Sequence, residues 1–216
     1  MQKNSAIKSS TRLQNRWANK ILVTCLGVLI IAIMPVIPVL AINYSSGTYG
    51  SCQYNSCSLT ISSNGTLSIN ITPATGGACS TQDDTVSVLT DDPSGYTLSL
   101  TNSSTNTALL KGTAAINSTT ATQASPVALV ANQWGYRVDG IGGFGAGPTT
   151  AQTNVSPDSI LFAGVPASNS NPDTIALTSG AADPAVNTYV WYSVCTDTSI
   201  ASGTYTTQIT YTAITN

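Results

Sequence analysis

The chain carries nine acidic residues, all of them aspartate; it has no histidine and no glutamate. That inventory excludes His-based nucleophile activation, imidazole metal ligation and Glu-based acid–base pairs. Aspartates remain as acid–base candidates. Aspartic-protease motifs place Gly two residues after Asp, and Asp84-Thr85-Val86, Asp173-Thr174-Ile175 and Asp197-Thr198-Ser199 all lack it. Asp83-Asp84 and Asp91-Asp92 flank a strand, where solvated turn residues are the ordinary reading. A calcium ion at one sheet end is the metal-binding alternative for these four, although no D-x-D-x-D-G run accompanies them. A Ser–Lys dyad would need Ser three residues before Lys111, and Ala108 stands there. Gly140-Ile-Gly-Gly-Phe-Gly145 matches the dinucleotide spacing, but Gly147-Pro148 follows where a helix must open. It reads as a surface loop. No catalytic residue and no cofactor is expected, and the chain reads as a non-enzyme.

The cysteines and the aromatics are what remain. Cys25 falls in an apolar leader, leaving Cys52, Cys57, Cys79 and Cys195. Four cysteines in an oxidising compartment imply two disulfides, for which Cys52–Cys57 and Cys79–Cys195 are the preferred pairing of three. No tight CxxC pair supports a zinc site. Tyr96, Tyr192, Tyr205 and Tyr211 fall at inward positions and are expected in the core. Tyr44, Tyr49, Tyr54 and Phe144 lie in Gly/Ser-rich loops and are the candidates for an exposed glycan-binding patch.

The N-terminus sets the compartment. Five of the seven basic residues (Lys3, Lys8, Arg12, Arg16 and Lys20) precede an uncharged apolar run from Ile21 to Ile42. A basic region, an apolar region and the small-residue exit Val39-Leu40-Ala41 make a secretory signal, with cleavage expected after Ala41. An uncleaved anchor through residues 21–42 is the alternative, since that length spans a bilayer. Either way Asn43 onward is exported. The exported part keeps Lys111 and Arg137 against nine Asp, a net charge of −7. Nucleic acid is a poor partner for it, and it meets a membrane only through residues 21–42 if these are retained.

Strand periodicity dominates the remainder. Leu59 and Ile61, then Leu67, Ile69 and Ile71, alternate with Ser, Thr and Asn, and Asn64-Gly65 between them signals a hairpin. Val86 and Val88, and Tyr96, Leu98 and Leu100, continue the pattern. It is cleanest in Tyr205, Thr207, Ile209, Tyr211 and Ala213. Tyr189 to Cys195 is apolar on both faces and suits a central strand. Strands are also expected at Trp134–Val138 and Ile160–Phe162, and at most one helical turn in Ser125–Val130. The expectation is an all-β chain: a single-domain antiparallel β-sandwich, Ig-like, of about seven to nine strands with long loops. Residues 1–41 form the signal or anchor, 42–57 a Cys/Tyr-containing segment, and 58–216 the sandwich.

Tyr49-Gly-Ser-Cys-Gln-Tyr-Asn-Ser-Cys57, Ser94-Gly-Tyr-Thr-Leu98, Trp134-Gly-Tyr-Arg-Val138 and Ser202-Gly-Thr-Tyr-Thr-Thr-Gln-Ile-Thr-Tyr-Thr-Ala213 resemble small exported proteins of Saccharibacteria-type, reduced-genome bacteria. The closing strand is also similar to the Gly-Thr-Tyr ending of WxL-type and spore-coat-U-like domains, departing at Tyr211-Thr-Ala213 where Trp-x-Leu would stand. The resemblance implies a surface sandwich without chemistry. The expected role is therefore structural or adhesive, secreted or at the cell surface, with an envelope component or another cell's surface as partner. A carbohydrate-binding module using the loop aromatics and a pilin-like fibre subunit are the alternatives.

Overall fold

The computed structural model describes residues 57–216 and the backbone of 48–49 and 52–53. All belong to one of the two units into which the chain divides, Tyr44–Asn216. The leader, its cleavage site and the side chains of Tyr44, Tyr49, Cys52 and Tyr54 lie outside the described residues.

Among the described residues fourteen strands run in chain order: β1 Thr48–Tyr49, β2 Cys52–Gln53, β3 Leu59–Ser62, β4 Ala78–Thr90, β5 Tyr96–Asn102, β6 Leu109–Lys111, β7 Ala114–Ser118, β8 Val127–Ala128, β9 Gln133–Val138, β10 Gln152–Val155, β11 Leu161–Phe162, β12 Asp173–Leu177, β13 Ala182–Thr196 and β14 Ile209–Thr215. No helix occurs among the described residues. The large sheet has the order β10-β4-β13-β9-β7-β6, with β3 also on β4, and a smaller sheet has the order β12-β5-β14. All pairs are antiparallel except β7 with β9. The count exceeds seven to nine because the Ser/Thr/Gly-rich stretches hold strands of two to five residues, too short for alternation to show.

Two sheets close on one core. Val86, Val88, Tyr136, Val190 and Tyr192 project from the large sheet and Tyr96, Leu98, Leu100 and Ile175 from the small one. In β4 even-numbered residues from Asp84 onward are buried and odd-numbered ones open, as a period of two demands. The expected inward tyrosines obey the pattern: Tyr96 and Tyr192 are buried, and Tyr205 and Tyr211 pack half-buried against the core.

Two local expectations fail. Leu67, Ile69 and Ile71 keep their alternation but join no ladder. Gly65, at φ 85°, turns the chain, and side chains accept the backbone bonds instead. Asn64 N–H donates to Asp84 Oδ1 (2.9 Å) and Thr72 N–H to Asn154 Oδ1 (2.6 Å). The segment lays Leu67 and Ile69 against the core as an extended cover, so Asn64-Gly65 is not a hairpin. Ser125–Val130 is no helical turn either. Its β-branched Val127 pairs with Phe162 in β8–β11, bringing Leu129 against Phe162 and the Cys79–Cys195 disulfide.

A polar relay ties the sheets through this core. Tyr211 of β14 donates to Asp84 Oδ2 of β4 (3.0 Å). The phenols of Tyr192 and Tyr211 lie 2.7 Å apart. A carboxylate only accepts, so Tyr211 spends its proton on Asp84 and accepts from Tyr192. Burial foremost, then the neighbouring phenol and carboxylate, raises the Tyr211 pKa. Burial likewise raises that of Tyr192, keeping both phenols protonated. Tyr211→Phe leaves the buried Tyr192 hydroxyl without its acceptor and Asp84 with only the Asn64 N–H. The expected cost is about 1–3 kcal/mol in denaturant unfolding, with the fold retained.

Candidate functional site

The glycine-rich loop is organised by a buried arginine. Arg137 is fully buried at the end of β9. Its Nε donates to Asp139 Oδ1 (3.1 Å), its Nη1 to the carbonyl of Leu161 (3.3 Å), and its Nη2 to the carbonyls of Phe144 (3.2 Å) and Gly145 (3.0 Å). Nη2 also lies 2.9 Å from Asp139 Oδ1. Gly142, at φ 57°, and Gly147 are required at close approach. A methyl on Gly142 would overlap the Gln123 carbonyl, and one on Gly147 would overlap Asp139 and Arg137. The loop is thus folded around a guanidinium, and its backbone carbonyls face a cation. That is the reverse of a phosphate cradle, which presents N–H groups.

Phe144 is correspondingly not an exposed ligand platform. It is 2% exposed, edge-on to Tyr136 at 5.6 Å and 5.8 Å from the Arg137 guanidinium. The loop needs an apolar plug, and Phe144 is it. Tyr44, Tyr49 and Tyr54, the other members of that expected patch, lie outside the described residues.

The aspartates are dispersed. Asp83-Asp84 and Asp91-Asp92 are separated by the second half of β4, about 25 Å of strand, so the four do not converge on a cation. No group of three metal-ligating side chains occurs among the described residues. Asp84 belongs to the tyrosine relay. Asp91 Oδ1 accepts Ser58 N–H (2.7 Å), and Asp92 Oδ1 accepts Ser94 N–H (2.9 Å) and Oγ (2.6 Å) in the turn before β5. Asp173 Oδ2 accepts from Tyr136 (2.6 Å), and burial raises its pKa against the lowering effect of that bond. Asp197 is lowered, chiefly by the Ser199 hydroxyl and then its N–H, with Asn132 adding a third donor.

Cys79 and Cys195 face one another across β4 and β13 and form a disulfide spanning 116 residues. A cross-link of that span stabilises by roughly 4–5 kcal/mol on the chain-entropy account. Cys57 is also disulfide-bonded; the expected partner Cys52 lies outside the described side chains.

A cleft of about 690 Å³ lies along the first half of β13 and extends over the edge of the small sheet. Antiparallel register sets Asn187 opposite Ser87, Tyr189 opposite Thr85, and Trp191 opposite Asp83. Asn187, Tyr189 and Trp191 share one face, as alternate residues must. Tyr189 is 53% exposed, whereas Trp191, two residues along the same face, is buried. Asp139, Ile141 and Pro148–Ala151 form one wall, and Ile175–Thr178 with Tyr96 the other. β9 stops at Val138 opposite Val190, which leaves the first half of β13 uncovered. Of these residues the sequence singles out Asp83 alone as a site candidate, and that for calcium; Asn187, Tyr189 and Trp191 are not candidates on sequence grounds. Tyr189–Cys195 is indeed a central strand, but only its even-numbered residues enter the main core.

No protein-family model, no curated protein and no solved structure matches this chain.

Two substitutions test these assignments. Arg137→Met strands the carbonyls of residues 144, 145 and 161, and should cost more than about 2 kcal/mol while opening residues 139–147 to amide exchange, read by hydrogen–deuterium mass spectrometry. Asp173 has a raised pKa when folded, so the folded state holds its proton more tightly than the unfolded chain. Stability therefore falls as pH rises from the ordinary value of 3.8 through the raised one. Asp173→Asn removes that loss. Its thermal midpoint should gain on the parent's as pH climbs from about 3 to about 6, and parallel pH curves would refute the assignment.

Proposed function

We propose that the chain is an exported, non-catalytic β-sandwich that serves at the cell surface by attachment, in a structural or adhesive role. The observation that carries this reading is the Cys79–Cys195 disulfide joining the two longest strands, since such cross-links persist outside reducing compartments. The basic–apolar leader and the resemblance to exported proteins of reduced-genome bacteria support the same compartment. The polar chemistry supports attachment over catalysis. Asp84, Asp91, Asp92, Asp173 and Asp197 each brace backbone or hydroxyl groups. Of the two described cations, Arg137 holds its loop and Lys111 Nζ donates to the Ser202 carbonyl.

Intact-mass analysis of protein from its native cells, paired with antibody labelling of unpermeabilised cells, tests the reading. Labelling of the intact surface and loss of two hydrogens for each of two disulfides are expected, with or without removal of residues 1–41. Free thiols at Cys79 and Cys195 together with a purely cytoplasmic signal would refute it.

A further inference from the structure

Three features of the β4–β13 cleft are open to a ligand. The Asp83 carboxylate, half-buried on the cleft wall, makes no hydrogen bond or ion pair among the described residues. The indole N–H of Trp191, directly across the ladder, donates to no acceptor among them. Tyr189 holds a ring 53% exposed on the same face as Trp191, with exposed Asn187 one step further along. An accessible indole donor, an unused acceptor and an open ring on one face describe a ligand rich in hydroxyls with a flat C–H face.

Charge narrows the class. The carboxylates lining the cleft are Asp83 and Asp139. Arg137, the nearby cation, is sealed beneath the glycine-rich loop and committed to Asp139 and three carbonyls. An anionic ligand would meet negative charge without a counterion, whereas neutral hydroxyls are good donors to Asp83. Thr149 and Thr150 add hydroxyls to the lining.

The uncovered backbone edges suggest a competing occupant, an added peptide strand. Both edges are guarded. β13 carries Pro184, without an N–H, inside a register shift between Ala182 and Val186, and β12 has a register shift between Thr174 and Ala176. Prolines and bulges at sheet edges oppose strand addition.

We propose that the outer face of the β4–β13 pair is a binding site for a neutral pyranose chain, with the Tyr189 ring stacking on a sugar face and Asp83, Trp191 Nε1 and Asn187 taking its hydroxyls. This deepens the attachment reading above by naming what is attached to.

The exported, disulfide-bonded protein is titrated with maltohexaose, cellohexaose and N-acetylchitohexaose up to about 10 mM, followed by backbone amide shifts and calorimetry. At least one should bind, with shifts centred on residues 83–87 and 187–191. Tyr189→Ala should weaken binding at least about tenfold and Asp83→Asn several-fold, with the thermal midpoint within a few degrees of the parent's. Tyr189 is largely exposed, so its truncation spares the core, and Asp83→Asn preserves shape in case the first variant misfolds. Failure of all three sugars to bind, binding unchanged in both variants, or the same amide shifts raised by an extended Thr/Val peptide instead would each overturn the proposal. Surface exposure with intact disulfides but no sugar binding would sink this site alone; free thiols in a cytoplasmic protein would sink the attachment reading whatever the sugars do.

Discussion

The pairing of β4 with β13 is the constraint from which the remaining structure follows. Twelve residue pairs run in antiparallel register from Ala182–Thr90 to Thr196–Ala78, interrupted by a single irregularity. A one-residue slip would turn every side chain of β13 to the opposite face. Tyr192 would leave Tyr211, Val190 would leave the core, and the Cys79–Cys195 alignment would be lost. The disulfide and the buried relay through Asp84 both hold that register, one covalently at the end of the ladder and one from inside the sandwich. The outer face inherits its order from the same alignment: Trp191 beside Asp83 on one side and Arg137 on the other.

Little of this depends on charge. The single ion pair among the described residues joins Arg137 to Asp139 and stabilises a loop. Elsewhere hydroxyls do the work that ion pairs do in other domains. Thr81 donates to Ser193, Tyr136 to Asp173, and Ser94 closes its own turn while reaching the carbonyl of Asn216. Hydrogen bonds at contact distance are screened by salt far less than separated surface charges. A chain that is 7% charged therefore gives up little cohesion.

The fold was legible where alternation runs long. The strands at Tyr96–Asn102, Gln133–Val138 and Ile209–Thr215, and the central place of Tyr189–Cys195, follow from period two and β-branched or aromatic content. The same signal misled at Leu67–Ile71, because alternation reports which side is buried and not who accepts the backbone hydrogen bonds. At residues 139–147 glycine content suggested an idle loop, while the buried Arg137 that shapes it sits in the preceding strand and carries no local mark. The cleft was illegible for a different reason. Tyr189, Trp191 and Asp83 are ordinary strand residues until a pairing between positions 108 apart sets Trp191 across from Asp83. The loop tyrosines looked more promising, but Phe144 shows that a Gly-rich setting can hide a ring that plugs its own loop.

The position of the cross-link also decides how the domain transmits force. Once β3 and β14 have been stripped from β4 and β5, a pull between residue 57 and residue 216 arrives at Cys79, passes through the sulfur atoms to Cys195, and leaves what is enclosed between them out of its path. Some 116 residues are thereby withheld from stretching, a reserve of about 400 Å of contour length that no tension can draw out while the bond survives. The face bearing Tyr189 and Trp191 lies within that withheld stretch.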